Sequence, residues 1–266
     1  MLRAIIESVY ESLLRRQINH IPRHVAIIQD GNRRYAKTYN LDTSKGHNAG
    51  ADRTEKVLNW VHEIGITHIS LYSFSTENFE RKSEEVDELF RIFKERFQRV
   101  ASDERFQKNK IHVKMVGDRS LLPSDLLNAV NIAEEATKHH NKFFLYVALA
   151  YGGRNEIVRA ARKVLTDVKE GKISRDDISE SLLESHLHDG LRIPPVDLII
   201  RTGNELRTSN FLPWLANGNE CAVYFCAPYW PLFRRIDLMR AVRVYSERMS
   251  SGQYTKQDLP AITPHS

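Results

Sequence analysis

The sequence predicts a single α/β domain with a central six-stranded, mainly parallel sheet flanked by helices. Strand-like and helix-like segments alternate along the chain, the pattern of a parallel sheet that is covered on both faces. The predicted strands are short apolar runs rich in β-branched residues, as strands buried on both faces require. The 266 residues suffice for one sizeable core, and no Pro/Gly-rich linker divides them.

The chain begins with a helix that is separate from this alternation. Apolar residues from Leu2 to Leu14 recur at helical spacing, so residues 1–20 are predicted to form an amphipathic helix. We expect it to pack on the domain, and contact with a membrane surface is the alternative. The domain itself is predicted over residues 21–250, followed by a loose tail over residues 251–266.

The remaining elements follow in order. Strands are predicted at residues 25–28, 69–73, 111–116, 143–149, 196–200 and 222–225. Helices are predicted at residues 44–64, from Ser83 (as N-cap), from about Ser124, from Asn155, and over about 172–188 and 234–248.

The end of the first strand carries an unusual set of side chains. Asp30 and Gly31-Asn32 follow four buried apolar residues, and Arg33 and Arg34 come next. Gly and Asn tolerate a sharp turn that leaves backbone N–H groups unpaired. A carboxylate suits a divalent cation and guanidinium groups suit a phosphate, so a phosphate bound through a cation would explain both. A solvated turn with a surface ion pair is the alternative for this segment alone.

Four further strands also end in polar residues. The carboxyl ends of parallel strands lie along one edge of a sheet, where ligands of open α/β folds bind. So many arginines on one edge repel each other unless an anion lies among them. The pattern therefore predicts one or two polyanionic groups with a Mg²⁺-type cation. The additional candidates are Ser75, Asn78, Arg81, Arg119, Arg154, Arg201, Arg207 and Ser209.

The composition limits the possible partners. A net charge of +5 favours anionic partners, but the 39 basic and 34 acidic residues are well mixed, and we expect no nucleic acid. No apolar run is long enough to span a membrane. Cys221 and Cys226 lie an odd number of residues apart on a predicted strand, so we expect them to face opposite ways, in a reducing cytoplasmic setting.

Five segments together resemble the cis-prenyltransferases, the undecaprenyl and dehydrodolichyl diphosphate synthases. The resemblance covers residues 22 to about 248. Within it, the sequence Arg33-Arg34-Tyr35 is similar to the corresponding sequence of archaeal and eukaryotic members. It implies a hydrophobic tunnel that holds the growing chain, a dimer, and a Mg²⁺-dependent condensation of an allylic diphosphate with isopentenyl diphosphate. The segments are residues 30–36 (DGNRRYA), 46–47 (GH), 75–81 (STENFER), 151–154 (YGGR) and 201–212 (RTGNELRTSNFL).

The resemblance also implies roles for individual residues near the first strand. Asp30 corresponds to the Mg²⁺ ligand of the family. The amides of Gly31, Asn32 and Arg33, with the side chain of Arg34, correspond to the cradle of the allylic diphosphate.

Other roles fall on later segments. His47 and Asn78 correspond to positions near the reacting centre, and Ser75 and Arg81 belong to the same substrate-binding segment. Glu220 matches an acidic residue that helps to hold the metal across the dimer. The set that binds the diphosphate of isopentenyl diphosphate corresponds to Arg201, Arg207 and Ser209.

Three positions depart from the family pattern. Thr43 stands where members usually carry an arginine for the allylic diphosphate, and Asn204 replaces a small residue. The C-terminal Arg-x-Gly motif, which reaches the neighbouring subunit's site, is absent, and Ser250-Ser251-Gly252 occupies that region. The eukaryotic synthases borrow this motif from a non-catalytic homologue. We therefore expect either a homodimer or a heteromer with an Arg-x-Gly-bearing homologue.

Two questions stay open at this stage. A prenyltransferase that does not elongate and uses a different acceptor is one alternative function, and a non-catalytic partner subunit is another.

Phe90, Phe93 and Phe97 share one helical face after the segment of residues 75–81. They are predicted to narrow the tunnel, and ordinary core packing is the alternative.

Overall fold

The computed structural model describes residues 2–216 and 221–251, except for the side chains of residues 2–5 and 8. It contains one six-stranded sheet in which every strand pair is parallel, which confirms the predicted architecture. The strands lie side by side in the order β3-β4-β2-β1-β5-β6. They are β1 (His24–Ile28), β2 (His68–Tyr72), β3 (Ile111–Val116), β4 (Phe143–Ala148), β5 (Leu198–Arg201) and β6 (Ala222–Phe225).

The strand order determines where a ligand site belongs. On one side of β1 lie β2, β4 and β3, in that order across the sheet. The chain forms these strands first, and it then returns to add β5 and β6 on the other side of β1. The strand order therefore reverses between β1 and β5, and a crevice opens there at the carboxyl ends. Asp30 follows β1 and Arg201 ends β5, so this crevice receives both residues.

The helices surround the sheet. They are α1 (Leu2–Gln17), α2 (Asn32–Thr38), α3 (Thr43–Ile64), α4 (Ser83–Val100), α5 (Glu104–Lys108), α6 (Ser124–Thr137), α7 (Gly153–Lys169), α8 (Glu180–His186) and α9 (Arg235–Ser250).

Several predicted boundaries were wrong. The predicted sharp turn is present at Gly31, but α2, which begins directly after it, was not predicted, and neither was the short α5. Of the predicted helix over residues 172–188, only α8 is an α-helix, because 3₁₀ turns flank it on both sides. The N-cap of α4 is Lys82 rather than Ser83, and β5 begins at Leu198 rather than at Val196.

The two faces of the sheet are packed differently. Alternate strand residues point to opposite faces. Val25 and Ile27 belong to a core that includes residues of α3, α4, α6 and α9, whereas Ala26 and Ile28 belong to a second core that includes residues between 191 and 216. Cys221 and Cys226 lie in different cores, as their odd spacing predicts.

Helix α1 lies against α9, which agrees with the expectation that it packs on the domain. Leu14 is buried, and Glu7 and Glu11 form ion pairs with arginines at the start of α9. Ile6, Val9 and Leu13 remain exposed. In the part of the chain that the structure describes, no helix is sufficiently long and apolar to span a membrane.

Candidate active site

Asp30 lies at the centre of the crevice between β1 and β5. Its carboxylate accepts a hydrogen bond from Arg201 Nη2 at 2.8 Å, and Arg34 Nη2 lies 3.0 Å from its other oxygen. Gly31 follows with a φ of 110°, and an added Cβ would lie 2.8 Å from the ring of Tyr229. Only glycine fits this position without strain, which lets the chain turn from β1 directly into α2.

Arg201 connects the crevice to the loop after β5. Its Nη1 donates a 2.6 Å hydrogen bond to the carbonyl oxygen of Arg207 and a second bond to Ser209 Oγ. The Arg201 residue is 4% exposed, and its Nε has no hydrogen-bond partner among the described residues. A buried guanidinium with a free donor is costly unless a further acceptor binds there, so this donor fits an anionic ligand.

Arg34 and Arg207 share a second carboxylate. Glu205 Oε1 lies 3.3 Å from Arg34 Nη1, and Glu205 Oε2 pairs with Arg207 Nη1. The Arg207 side chain is 63% exposed, so it is free to turn towards a ligand. Sequence analysis did not identify Glu205 as a site residue, because a single carboxylate in a polar loop carries no distinctive pattern.

Ser75 and Asn78 are held by a short turn after β2. The backbone N–H of Ser75 donates to Asn78 Oδ1 at 3.1 Å, and the Ser75 side chain completes a capping box for the 3₁₀ turn Thr76–Glu80. Both residues line the same cavity as Asp30. The turn therefore presents an amide and a hydroxyl to the crevice in a fixed arrangement.

Glu85, at the start of α4, joins three further candidates. Its Oε1 accepts hydrogen bonds from His47 Nε2 and Arg81 Nη1, both at 3.0 Å, and Arg33 Nε lies 3.7 Å away. In the sequence, Glu85 is recognisable only as an acidic residue in the first turn of a predicted helix. Its spacing of four residues from Arg81 is the one signal that could have indicated the contact.

The protonation states of this group follow from burial and charge. Desolvation lowers the pKa of the His47 imidazole, although the hydrogen bond with Glu85 opposes that change. Burial acts to raise the pKa of Glu85, but the hydrogen bond from His47 and the charge of Arg81 outweigh it, so the net shift is downward. A neutral His47 therefore donates its Nε2–H to an ionised Glu85, which fixes the imidazole and Arg81 in place.

The crevice opens into a cavity of about 820 Å³ that extends between the sheet and helices α3 and α4. Apolar side chains line its middle part, and Phe93 and Phe97 are among them. Phe90 is absent from this lining because it packs between Phe74 and Phe79, with ring centroids at 5.1 and 6.0 Å. Phe93 and Phe97 therefore line the cavity, and their role in narrowing a tunnel stays a prediction, whereas Phe90 is a core residue.

Comparison with known proteins agrees with this geometry. The family model for undecaprenyl diphosphate synthases, Prenyltransf, matches residues 28–252. The chain is 50% identical over 243 residues to a Methanosarcina mazei protein, covering 90% of this chain and 82% of the relative. That protein is named tritrans,polycis-undecaprenyl-diphosphate synthase (geranylgeranyl-diphosphate specific). The chain belongs to the cis-prenyltransferase family.

Other relatives and solved structures support the same assignment. A Methanocaldococcus jannaschii protein with the same name is 46% identical and covers 90% of this chain and 86% of its own. The structure of lavandulyl diphosphate synthase from Lavandula x intermedia, in complex with dimethylallyl diphosphate, matches with a TM-score of 0.79 and 34% identity. A probable undecaprenyl diphosphate synthase from Campylobacter jejuni matches with a TM-score of 0.67 and 29% identity, and each match covers 85% of this chain and 95% of the other.

In this cis-prenyltransferase the predicted site residues fall into two classes. One cavity is lined by all the predicted catalytic and substrate-binding residues: Asp30, Gly31, Asn32, Arg33, Arg34, His47, Ser75, Asn78, Arg81, Arg201, Arg207 and Ser209. Two arginines predicted on the same edge lie outside it. Arg119 pairs with Glu134 at 2.6 Å, and the backbone N–H of Arg154 donates a 2.8 Å hydrogen bond to Asn210 Oδ1.

The three departures from the family pattern lie in different parts of the chain, and only some of them line the cavity. Thr43 lies at the start of α3 and lines the cavity, so the missing arginine leaves that part of the wall uncharged. Asn204 adopts a left-handed conformation with a φ of 59°, which asparagine tolerates better than most residues. Glu220 and Gly252 lie outside the described residues.

The donor set of this cis-prenyltransferase fits a Mg²⁺ ion that is bound together with substrate. No group of three or more His, Cys, Asp or Glu side chains in the described chain could hold a metal alone. Mg²⁺ commonly binds through one or two carboxylates plus substrate phosphates and water. The Asp30 side chain is 27% exposed towards the cavity, and its carboxylate oxygens retain lone pairs beyond those used by the two arginines.

Proposed function

We propose that this chain is a Mg²⁺-dependent cis-prenyltransferase that condenses an allylic diphosphate with isopentenyl diphosphate to extend a polyprenyl diphosphate, the precursor of a glycosyl-carrier lipid. One observation supports this above all others. The crevice between β1 and β5 carries more arginines than carboxylates, and it opens directly into a cavity with apolar walls. A substrate with a diphosphate head and a hydrocarbon tail matches both parts.

The two sides of the crevice suit two diphosphates. On the β1 side, the amides of residues 31–33 and the guanidinium of Arg34 bind the allylic diphosphate. On the β5 side, Arg201, Arg207 and Ser209 bind the diphosphate of isopentenyl diphosphate, and the unpartnered Nε of Arg201 supplies one donor. Holding the two substrates in one orientation supplies much of the rate enhancement.

The chemical step places specific demands on these groups. The allylic C1–O bond breaks and the diphosphate leaves with the electron pair. The double bond of isopentenyl diphosphate forms the new bond to C1, and the proton lost from C2 of that unit passes to an oxygen of the departing diphosphate. Negative charge grows on the departing diphosphate, where Arg34 and the adjacent amides stabilise it. Asp30, with Glu220 by family resemblance, would hold the Mg²⁺, which when bound adds Lewis-acid stabilisation to the same oxygens.

The apolar part of the cavity has two tasks. It excludes water from C1 while positive charge develops there, because water would compete with the isopentenyl double bond. It also serves as the tunnel that receives the growing chain, and Phe93 and Phe97 form part of its wall. The relatives named as geranylgeranyl-specific support a C20 allylic donor for this chain.

The assembly is proposed from the missing Arg-x-Gly motif. A guanidinium–phosphate contact is strong and directional, and Ser250 cannot replace it. The chain therefore works as the catalytic subunit of a homodimer or of a heteromer with an Arg-x-Gly-bearing homologue.

The exposed Ile6, Val9 and Leu13, with Arg15 and Arg16 in the last turn of α1, support peripheral contact with an anionic membrane.

The central experiment incubates the purified chain with radiolabelled isopentenyl diphosphate and a dimethylallyl, farnesyl or geranylgeranyl donor. We expect incorporation into long products, highest with the geranylgeranyl donor and abolished by EDTA. Single condensations with the dimethylallyl donor would instead favour a non-elongating enzyme, the class suggested by the similarity to lavandulyl diphosphate synthase. Activity that appears only with an added Arg-x-Gly homologue would establish the heteromer, and no incorporation under any condition would contradict the proposal.

A further inference from the structure

The loop after β5 has an unusual backbone conformation. Ser209, Asn210 and Leu212 all have positive φ angles, of 48°, 62° and 48°. This left-handed conformation is unfavourable for serine and leucine, because the Cβ atom approaches the following carbonyl oxygen, whereas asparagine tolerates it better. Such a backbone persists only where surrounding contacts maintain it. Ser209 lines the cavity, so these contacts also determine part of the proposed diphosphate site.

Asn210 connects this loop to the start of α7. Its carbonyl oxygen accepts a 2.9 Å hydrogen bond from the backbone N–H of Gly153, and its Oδ1 accepts a 2.8 Å bond from the N–H of Arg154. The N-cap residue of α7 is Gly152, which has no side chain that could bond these amides. Asn210 therefore caps α7 from a loop that is distant in the sequence.

The side-chain amide of Asn210 also contacts the turn after β2. Burial acts to raise the pKa of the Glu77 carboxylate, but hydrogen bonds outweigh this effect, and one of them comes from Asn210, so the net shift is downward. Glu77 belongs to the 3₁₀ turn Thr76–Glu80, which also contains Asn78. Asn210 thus connects the turn that carries Asn78 with the loop that carries Ser209.

Two glycines leave the space for this junction. A Cβ added at Gly153 would lie 2.1 Å from Pro213 Cδ and 2.8 Å from the carbonyl oxygen of Asn210. A Cβ added at Gly152 would lie 2.7 Å from Thr76 Oγ1 and 3.4 Å from Asn210 Nδ2. The helix, the turn and the loop therefore meet this closely because both residues lack a side chain. Asn210 and the two glycines do not line the cavity, so the junction acts on a substrate only through other residues.

Ser209 links the junction to the crevice. Its Oγ accepts a hydrogen bond from Arg201 Nη1, and the same nitrogen donates to the carbonyl oxygen of Arg207 at 2.6 Å. Arg201 is buried, so it depends on these acceptors to remain in its position. A shift of the loop would consequently move all three groups that are proposed to bind the diphosphate of isopentenyl diphosphate.

We propose that Asn210 is a positioning residue for the isopentenyl diphosphate site, which it holds in shape by bonding the loop after β5 to α7 and to the turn after β2. This inference rests on the proposed condensation and goes beyond it, because it adds a residue that touches neither substrate. Both side-chain bonds are needed, since one fixes the loop to the start of α7 and the other fixes it to Glu77. Among the described residues, no hydrogen bond links residues 31–33 on the β1 side to Asn210 or its partners. The effect should therefore fall on one substrate.

The test measures steady-state kinetics of the full chain with geranylgeranyl and isopentenyl diphosphates, in the assembly that is active. Asn210→Gly removes both side-chain bonds but keeps a residue that readily adopts a positive φ. Asn204→Gly is the matched control, because Asn204 lies in the same loop with a φ of 59°, and its exposed side chain has no hydrogen bond within the described part of the chain. We expect Asn210→Gly to raise the KM for isopentenyl diphosphate by about tenfold and to change that for geranylgeranyl diphosphate by less than about twofold. Asn204→Gly should change neither value.

The possible results separate this inference from the proposed function. If the unmodified chain condenses the two substrates and Asn210→Gly behaves like Asn204→Gly, the inference is wrong and the proposed function stands. A fall in kcat with both KM values unchanged, or an equal rise of both, would also overturn it, because general damage would then be the cause. No incorporation of isopentenyl diphosphate by the unmodified chain would remove the proposed function and this inference together.

A second variant applies if Asn210→Gly fails to fold, as judged by a circular dichroism melt. Asn210→Asp can still cap the start of α7, where a carboxylate is favourable, but it replaces the donor to Glu77 with a like charge. We expect the KM for isopentenyl diphosphate to rise here as well, and an added Glu77→Gln change to reduce that rise because it removes the repulsion. An unchanged KM in folded Asn210→Asp, or a rise that Glu77→Gln does not reduce, would overturn the inference.

Discussion

The two ends of the cavity carry the same kinds of charged side chain in different proportions. Three carboxylates at the crevice, Asp30, Glu85 and Glu205, face six basic side chains: Arg33, Arg34, Lys37, Arg81, Arg201 and Arg207. At the far end, Glu55 and Asp103 face three arginines. Arginines with too few carboxylates need a further anion, whereas nearly balanced charges satisfy each other. The first arrangement is therefore typical of a binding site and the second of a wall.

The largest expected effect tests the crevice at its central carboxylate. Asp30→Asn keeps the shape of the side chain but removes the charge that faces Arg34 and Arg201 and would hold Mg²⁺. We expect turnover to fall by more than about a thousandfold with the fold intact, because charge stabilisation at the leaving diphosphate is lost. Steady-state kinetics with a circular dichroism melt measure both quantities.

A control for Asp30 is available at another strand end. Asp118 follows β3, lies 3.7 Å from Arg159 and does not line the cavity. Asp118→Asn should leave turnover nearly unchanged. If Asp30→Asn retains comparable activity and that activity resists EDTA, the metal role of Asp30 is wrong.

The second prediction concerns Glu85, which the sequence did not identify. Glu85→Gln weakens the acceptor shared by His47 and Arg81, so both side chains lose their fixed position. We expect kcat/KM to fall by about 10- to 100-fold, a size typical of residues that orient reacting groups. Glu88→Gln is the matched control on the same helix, because Glu88 binds Ser44 and Arg91 outside the cavity. Equal losses in both variants would indicate damage to α4 instead.

The third prediction concerns the apolar middle between the two ends. Phe93 lines the cavity, so Phe93→Ala should lengthen the products by widening the channel. Phe90 packs against Phe74 and Phe79, so Phe90→Ala should lower stability by about 3–5 kcal/mol and leave product length unchanged. Product sizing and thermal melts of both variants separate the two roles. A lower melting temperature with unchanged products for Phe93→Ala would make it a core residue as well.

The crevice was predictable from sequence because it depends on a rule of topology. Strand ends of a parallel sheet lie on one edge, so the residues after β1, β2 and β5 could be grouped before any contact was known. The ion pairs among Asp52, Glu55, Arg96, Arg99, Asp103 and Arg105 depend instead on how α3, α4 and α5 pack side by side. Helix periodicity gives the apolar face of each helix but not its partner, so Glu55 and Arg105 had no visible relationship in the sequence.

Local backbone geometry explains the remaining differences. The start of α2 depends on the close approach of Gly31 to Tyr229, residues that are distant in the sequence. The segment of residues 172–188 is rich in charged residues. The helix predicted there was too long, because 3₁₀ turns interrupt the segment. His188 and Asp189, in the second of these turns, have positive φ angles that no sequence pattern predicted.

The smallest expected effect tests which arginines at the strand ends belong to the crevice. Arg119 and Arg207 both follow parallel strands, and the sequence placed them in one group. Arg119 is engaged by Glu134 and Asn131 and lies outside the cavity, so Arg119→Gln should change kcat/KM by less than about twofold. Arg207 lines the cavity with an exposed guanidinium, so Arg207→Gln should raise the KM for isopentenyl diphosphate by about tenfold or more, since a charged phosphate contact is lost. Measured KM values for both substrates would decide the matter: equal effects of the two changes would mean that strand-end position alone, and not the cavity, defines the binding site.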